Sequence, residues 1–166
     1  MATKTHQMEF LLQAQLGSSY SATVIRNYLN GTCYSSIQDN LRAVIKPVTK
    51  FNETFNNTGA VNKYHEYNPS TENLFLLTLK EIGITGVIGV SASEAKGTTY
   101  PYFSTASTRI KRLGNGSGNN SGWYTRSGVN WYSTGGKSGF YAITETGGYS
   151  QEGGYTLKGV CFGFCI

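Results

Sequence analysis

The sequence predicts an α+β domain, a small antiparallel sheet with two or three helices and long Gly-rich loops. Apolar residues recur at helical spacing in the first 50 residues, whereas the last quarter of the chain holds short strand-like pieces between glycine-rich turns. The length of 166 residues fits one compact domain. The charged fraction of 14% excludes a coiled coil or a charged disordered chain, and the aromatic fraction of 13% supplies a core.

Three helices are expected in the first 50 residues. Apolar residues at helical spacing place them, in chain order, at 8–16, 24–29 and 36–44. A glycine or a proline follows each of them, as is typical of helix ends. In the third helix Leu41, Val44 and Ile45 share one face, which predicts that they pack in the core.

The polar stretch 52–70 predicts a loop, and the apolar run 73–77 after it predicts a buried strand. The residues that follow have the form of a capping box. Thr78 can accept a hydrogen bond from the amide of Glu81, whose carboxylate can return to the amide of Thr78. A helical turn is therefore expected directly after the strand, with Gly83 at its end.

The second half of the chain supplies the remaining strands. An aromatic packing cluster at 100–103 precedes a strand-like piece at 109–112. Further strands are expected at 123–126, 140–144 and 159–166, with a hairpin turn at 145–148.

Residues 114–156 differ in composition from the rest of the chain. They hold 12 of the 21 Gly, together with six Ser, five Thr, four Asn and five Tyr, and little charge. Tyr and Trp give a large contact area with few rotatable bonds, and Ser, Gly and Asn give adaptable hydrogen bonding, as in antibody loops. The composition predicts either a ligand-display surface or a set of exposed loops without a ligand.

The net charge of +5 does not predict a nucleic-acid partner, because the basic residues are scattered along the sequence. Only Arg109, Lys111 and Arg112 cluster, whereas nucleic-acid binders concentrate charge on one face. The sequence has no signal-peptide pattern and no apolar run of membrane-spanning length. We therefore expect synthesis in the cytoplasm and no membrane span. The cysteines are then expected to stay reduced, and without zinc spacing they predict no metal site.

No catalytic motif is present, so an enzyme is not expected and no cofactor is predicted. The two histidines, His6 and His65, lie away from any nucleophile motif. Residues 135–138 reproduce only the last letters of a phosphate-binding loop. Glu145 and Glu152 flank a predicted hairpin with no apolar pocket that would favour a protonated carboxyl.

Five ordered motifs carry a family resemblance over residues 22–166. They are Tyr28-Leu29-Asn30-Gly31, Leu41-Arg42-Ala43-Val44-Ile45, Leu74-Phe75-Leu76-Leu77-Thr78, Trp123-Tyr124-Thr125-Arg126-Ser127 and the closing run from Gly159 to Ile166. In this series the chain resembles a domain family of gut Firmicutes and their phages. That family is similar to the C-type-lectin-like fold of formylglycine-generating enzymes and of the variable proteins of diversity-generating retroelements.

The resemblance implies a C-type-lectin-like domain over 22–166 with a candidate variable display region at 114–156. In retroelement-diversified proteins, residues in the C-terminal part of this fold are substituted. The ligand-contacting surface is accordingly expected to comprise Asn130, Trp131, Tyr132, Ser133, Lys137, Tyr149, Gln151 and Tyr155. Trp123 and Arg126 are expected to belong to the scaffold instead. The signatures of calcium-dependent lectins are absent, so the resemblance does not imply calcium.

Residues 1–21 resemble a different class, the opening of phage tail tape-measure proteins. This resemblance implies an attachment segment that assembles with another tail component. A plain amphipathic helix that covers the domain would explain the same pattern, and both interpretations stay open.

The leading functional hypothesis is a non-enzymatic receptor-binding protein or adhesin of a phage tail or prophage. It would bind a bacterial surface protein or glycan, with multivalent display on a homo-oligomer. It is expected in the virion, or in the bacterial cytoplasm where it is made. The alternative is a structural virion or tail protein that uses its Tyr/Gly-rich surface for assembly. A relative of the formylglycine-type oxidases, with Cys161 and Cys165, is a third hypothesis.

Overall fold

The computed structural model describes residues 7–9, 24–55, 65–87, 97–113, 118–130, 138–153 and 157–166. Its helices are α1 (Val24–Tyr28), which continues as a π-helical turn (Leu29–Cys33), α2 (Asp39–Arg42) and α3 (Ala106–Arg109), with a 3₁₀ turn at Pro101–Phe103. Its strands are β1 (Gln7–Glu9), β2 (Val48–Phe55), β3 (His65–Glu72), β4 (Phe75–Leu76), β5 (Lys111–Arg112), β6 (Asn120–Ser121), β7 (Trp123–Asn130), β8 (Ser138–Ile143), β9 (Tyr149–Gly153), β10 (Leu157–Val160) and β11 (Phe162–Gly163). The fold is α+β, as predicted.

The largest sheet has five strands in the order β1-β10-β7-β8-β9. Its neighbours are antiparallel except for β10 and β7, which run parallel. Three two-stranded sheets accompany it, β11 with β4, β2 with β3, and β5 with β6. Most of this pairing is antiparallel, as the sequence predicted, and the β7–β10 pair is the exception.

Side chains of strands that are not neighbours meet across the five-stranded sheet. The Tyr124 hydroxyl on β7 donates to the carbonyl of Gly153 on β9 at 2.8 Å, although β8 lies between the two strands. Lys158 on β10 and Glu152 on β9 form an ion pair at 3.1 Å across two intervening strands. Because neighbouring strands lie about 4.8 Å apart, such contacts require a curled sheet.

Each face of this sheet carries a buried core, because alternate residues of a strand point to opposite faces. On one face, Ile25 and Leu29 of the first helical segment pack against four buried strand residues, Tyr124, Phe140, Ala142 and Val160. On the other face Trp123, Tyr141, Ile143 and Cys161 pack with Leu79 and Ile82 from the turn after β4. The central strands are therefore covered on both sides.

Two predictions from the first part of the sequence are wrong. Met8 and Glu9 belong to strand β1 and not to a helix, while residues 10–16 of the predicted helix lie outside the described ranges. The stretch predicted as a polar loop contains most of a hairpin, in which β2 and β3 pair in unbroken register from Val48–Glu72 to Phe55–His65. Its inner side buries Asn52 and Glu72, so no apolar alternation marks it in the sequence.

The other two predicted helices exist in modified form. The helix at 24–29 does not stop at Asn30-Gly31 but continues as the π-helical turn to Cys33. The third is one short helix, α2, whose expected core residues Leu41 and Val44 are 39% and 49% exposed, and only Ile45 is buried. The chain leaves the helix before Ile45 and pairs Lys46 with Cys165, which turns the predicted apolar face to solvent.

The local turn predictions are confirmed. The amide of Thr78 donates to Glu81 Oε2 at 2.9 Å, the amide of Glu81 donates to Thr78 Oγ1 at 3.1 Å, and Gly83 ends the turn with a φ of +75°. The hairpin turn before β9 has Gly147 at a φ of +82°, which favours glycine. A Cβ at Gly147 would overlap the Ala106 carbonyl, so the turn also packs tightly against α3.

Candidate functional site

The carboxylate of Glu81 is buried where three chain segments meet. Its Oε1 accepts from Lys50 Nζ on β2 at 2.9 Å and from Arg126 Nη2 on β7 at 3.0 Å. Its Oε2 accepts the Thr78 amide of the capping box. Burial raises the pKa of Glu81, but the charges of Arg126 and Lys50 and the Thr78 amide outweigh it, so the pKa lies below its usual value. The side chain is therefore ionised and serves as a structural acceptor.

Arg126 is turned toward Glu81 by an irregularity in β7, whose register with β8 shifts between Tyr124 and Gly128. Its Nη1 donates to the carbonyl of Leu76 at 3.0 Å, and its backbone amide donates to the carbonyl of Leu77 at 3.0 Å. The guanidinium thus joins β7 to the end of β4. Arg126 is buried, which agrees with the expected scaffold role.

Lys50 ties the β2–β3 hairpin to the same place. Its Nζ lies 3.8 Å from the centroid of the Phe75 ring and donates to the Tyr100 hydroxyl at 3.3 Å. A cation held over an aromatic face while it pairs with a carboxylate is a stabilising arrangement for a largely buried ammonium. Lys50 therefore fastens the hairpin to the core.

A second buried carboxylate, Glu72 at the end of β3, fastens α1. It accepts from Arg26 Nε at 2.6 Å, from Asn30 Nδ2 at 2.5 Å and from the Ser70 hydroxyl. The Asn30 amide also donates to the carbonyl of Leu74 at 2.9 Å. Asn30 Oδ1 in turn accepts from the backbone amides that follow Glu72. The asparagine of the first family motif is therefore a clamp between the helix and the strand before the core.

Each oxygen of both carboxylates accepts at least one hydrogen bond, and both groups pair with a cation. These carboxylates therefore stabilise the fold. Within the described ranges no group of three or more His, Cys, Asp and Glu side chains could hold a metal ion. Asn30, Thr78 and Arg126, which belong to three of the five family motifs, thus hold the fold together.

The expected ligand residues fall at two places. Asn130 ends β7 and pairs with Ser138 at the start of β8, and Gly139 next to it pairs with Gly153 at the end of β9. The chain therefore leaves the sheet toward 131–137, and toward 154–156, from one common end. Five of the expected residues belong to those two segments, outside the described part of the chain, and they are Trp131, Tyr132, Ser133, Lys137 and Tyr155.

Tyr149 and Gln151 lie elsewhere, on the outermost strand β9. Tyr149 is 48% exposed, and its ring meets the buried Tyr141 edge-on with 6.0 Å between centroids. Gln151 is exposed and donates from Nε2 to the Tyr141 hydroxyl at 3.3 Å. Tyr149 pairs with Ile143, at the opposite end of β9 from Gly153. The eight expected residues are thus divided between an end of the sheet and its edge.

Sequence reasoning missed the two carboxylate clusters as units. The partners Lys50 and Arg26 are isolated basic residues in the sequence and carry no local signal of this pairing. Only the capping box gave Glu81 a predicted role, because the Thr78 amide that its carboxylate binds lies three residues earlier.

One protein family matches residues 12–166, DUF6273, described as a domain of unknown function. The chain belongs to the DUF6273 family. The match spans both carboxylate clusters and begins after β1. No curated protein and no solved structure matches the chain. Among the described residues of this DUF6273 protein, no helix is long and apolar enough to cross a membrane.

Proposed function

We propose that this DUF6273 domain is a non-enzymatic binding protein with a C-type-lectin-like fold. It acts as a receptor-binding protein or adhesin of a phage tail or prophage and binds a bacterial surface protein or glycan. The observation that carries the proposal is the common end of the sheet formed by Asn130, Ser138 and Gly153. Two Tyr- and Gly-containing segments emerge from it, and these hold most of the expected contact residues.

The scaffold beneath this end suits a display role. The Glu81 and Glu72 clusters fix the helix, the hairpin and the central strand by side-chain bonds. The residues that form those bonds lie outside the two emerging segments, so substitutions there remove none of their donors or acceptors. Binding loops are typically positioned by a rigid scaffold and tolerate substitution.

The chain topology supports the lectin-like assignment. Strand β1, which precedes the matched residues, pairs antiparallel with β10, so an early and a late segment of the described chain share one sheet. Helix α1 covers one face of that sheet, and irregular chain around 77–87 covers the other.

Cell binding by the full chain tests the proposal. We expect the combined substitution Trp131→Ala, Tyr132→Ala and Tyr155→Ala to lower binding to a responsive bacterial strain at least tenfold, without a change in thermal unfolding. Tyr102→Ala is the matched control, because Tyr102 is 65% exposed but lies on the 3₁₀ turn. Unchanged cell binding in the triple variant contradicts the proposal. If the triple variant instead fails to assemble into particles while cell binding persists, the structural virion protein is favoured.

A further inference from the structure

One lysine reaches across the five-stranded sheet. Lys158 Nζ on β10 lies 3.1 Å from Glu152 Oε1 on β9, and the two side chains are 18% and 19% exposed. Strands β7 and β8 lie between β10 and β9 in the order of the sheet. The Ser150 hydroxyl donates to the same carboxylate oxygen at 2.8 Å. The ion pair therefore joins two strands that are not neighbours in the sheet.

Gly122, directly before β7, gives the lysine stem its path. A Cβ on Gly122 would lie 3.3 Å from Lys158 Cδ and 3.5 Å from Lys158 Nζ. The same Cβ would lie 2.8 Å from the carbonyl oxygen of Ile143, which is closer than side chains come to backbone. The stem of Lys158 therefore lies against bare backbone on its way to Glu152, a close approach that glycine permits.

A second bond holds the next residue of β9. The hydroxyl of Tyr124, a fully buried residue of β7, donates to the carbonyl of Gly153 at 2.8 Å. Gly153 follows Glu152 and ends β9 at the common end of the sheet. Two consecutive residues of β9 are thus held from beyond β8, one by a charge and one by a hydroxyl.

These bonds lie on the opposite face of β9 from the expected contact residues. Glu152 pairs with Phe140, which belongs to the core under α1. Tyr149 and Gln151 alternate with Glu152 along the strand and contact Tyr141, which belongs to the other core. The ion pair can therefore determine where β9 lies without touching a ligand on the other face.

We propose that Lys158 is a positioning residue of the binding surface, because it holds β9 in the place from which Tyr149 and Gln151 are presented. The ladder to β8 fixes the register of β9, and the bonds from β7 and β10 add a second hold from across the sheet. Pre-organisation of a contact surface lowers the conformational cost of binding. The inference rests on the proposed function, with Tyr149 and Gln151 as contact residues.

Hydrogen exchange measures how firmly β9 is held, without any ligand. Lys158→Glu and Glu152→Lys each bring two like charges together, so the amides of β9 should exchange about fivefold faster or more. The variant with both substitutions restores an opposite-charge pair and should recover the protection of the parent. Lys46→Glu, at an exposed site, changes the net charge equally and is the matched control. Unchanged exchange in the single variants overturns the proposal, as does a double variant that exchanges as fast as they do.

Cell binding tests the link to function. Lys158→Glu should lower binding to a responsive bacterial strain about threefold or more, because part of the binding free energy then goes into ordering β9. The double variant should bind like the parent. If Lys158→Glu binds normally while the triple variant at 131, 132 and 155 does not, Lys158 has no positioning role and the proposed function stands. If the triple variant also binds normally, the proposed function fails and this inference fails with it.

Discussion

Glu81 and Arg126 form a buried ion pair in which both side chains are 4% exposed and Oε1 lies 3.0 Å from Nη2. Desolvation of two charges is costly, and it is offset here by the further bonds of each group to Lys50, Thr78 and Leu76. Loss of one member leaves the other charge uncompensated. The pair is therefore the point at which this fold is most sensitive to a single substitution.

Glu81→Gln should lower the free energy of unfolding by about 3–5 kcal/mol, because it leaves Arg126 buried without a counter-charge. Urea unfolding followed by circular dichroism measures the change. Glu145→Gln is the control, since Glu145 is exposed on the hairpin turn and should change stability little. Equal stability of the two variants would show that the ion pair is dispensable.

The pH dependence of stability follows from the same carboxyl. Its pKa lies below the usual value in the folded protein, so the folded state binds its proton less readily than the unfolded state. The stabilisation is fully present above the unfolded pKa, about 4.3, and is lost as the pH falls through the folded pKa. Unfolding measured between neutral and acidic pH should decline in this window, and Glu81→Gln should flatten the decline. A variant with the same slope as the parent would assign acid sensitivity to other groups.

Asn30→Ala should destabilise the domain by about 2 kcal/mol, because it removes donors to Glu72 and Leu74 and leaves buried groups without partners. Asn30→Asp should lower the stability further, since a second carboxylate would face Glu72. Asn40→Ala, on the exposed helix α2, is the control. Thermal unfolding of the three variants compares their losses of stability. A smaller loss in Asn30→Asp than in Asn30→Ala would contradict the bond from Asn30 to Glu72.

Gly147→Ala should lower stability by more than about 1 kcal/mol, because it combines a positive φ with overlap against the Ala106 carbonyl. Gly148→Ala is a close control: its Cβ would meet only Thr144 Oγ1, at 3.4 Å. Chemical unfolding of both variants measures the difference. Similar values for the two would mean that the turn can shift away from α3.

The Cys161 thiol should resist alkylation in the folded protein. Burial raises its pKa to about 11, against a weaker opposing effect of Lys111, so little reactive thiolate is present near neutral pH. Peptide mass spectrometry after brief maleimide treatment at pH 8 should find Cys161 unmodified in the native chain and modified in urea. Rapid native labelling would contradict the burial of this strand.

Sequence patterns predicted the elements whose bonds are local. The Thr78–Glu81 capping box and the turn at Gly147 depend on neighbours within four residues, and both are confirmed. The β2–β3 hairpin was missed because its inner side buries the polar Asn52 and Glu72, which gives no apolar alternation. The helix end at Asn30 was misjudged because its side chain binds Leu74, 44 residues later.

The candidate site was also predicted only as far as local sequence allows. Composition located the region from Gly114 to Thr156, but composition cannot separate residues at the end of a sheet from those at its edge. That separation depends on strand order, which places β9 outermost and brings Asn130 and Gly153 to one end.

The position of β10 has a consequence for how the protein folds. This strand, at 157–160, sits between β1 and β7 in the sheet, and Cys165 beyond it pairs with Lys46. The five-stranded sheet is therefore incomplete until residues more than 100 positions apart in the sequence have met. Such non-local contacts are slow to form, so we expect the sheet to be completed late in folding.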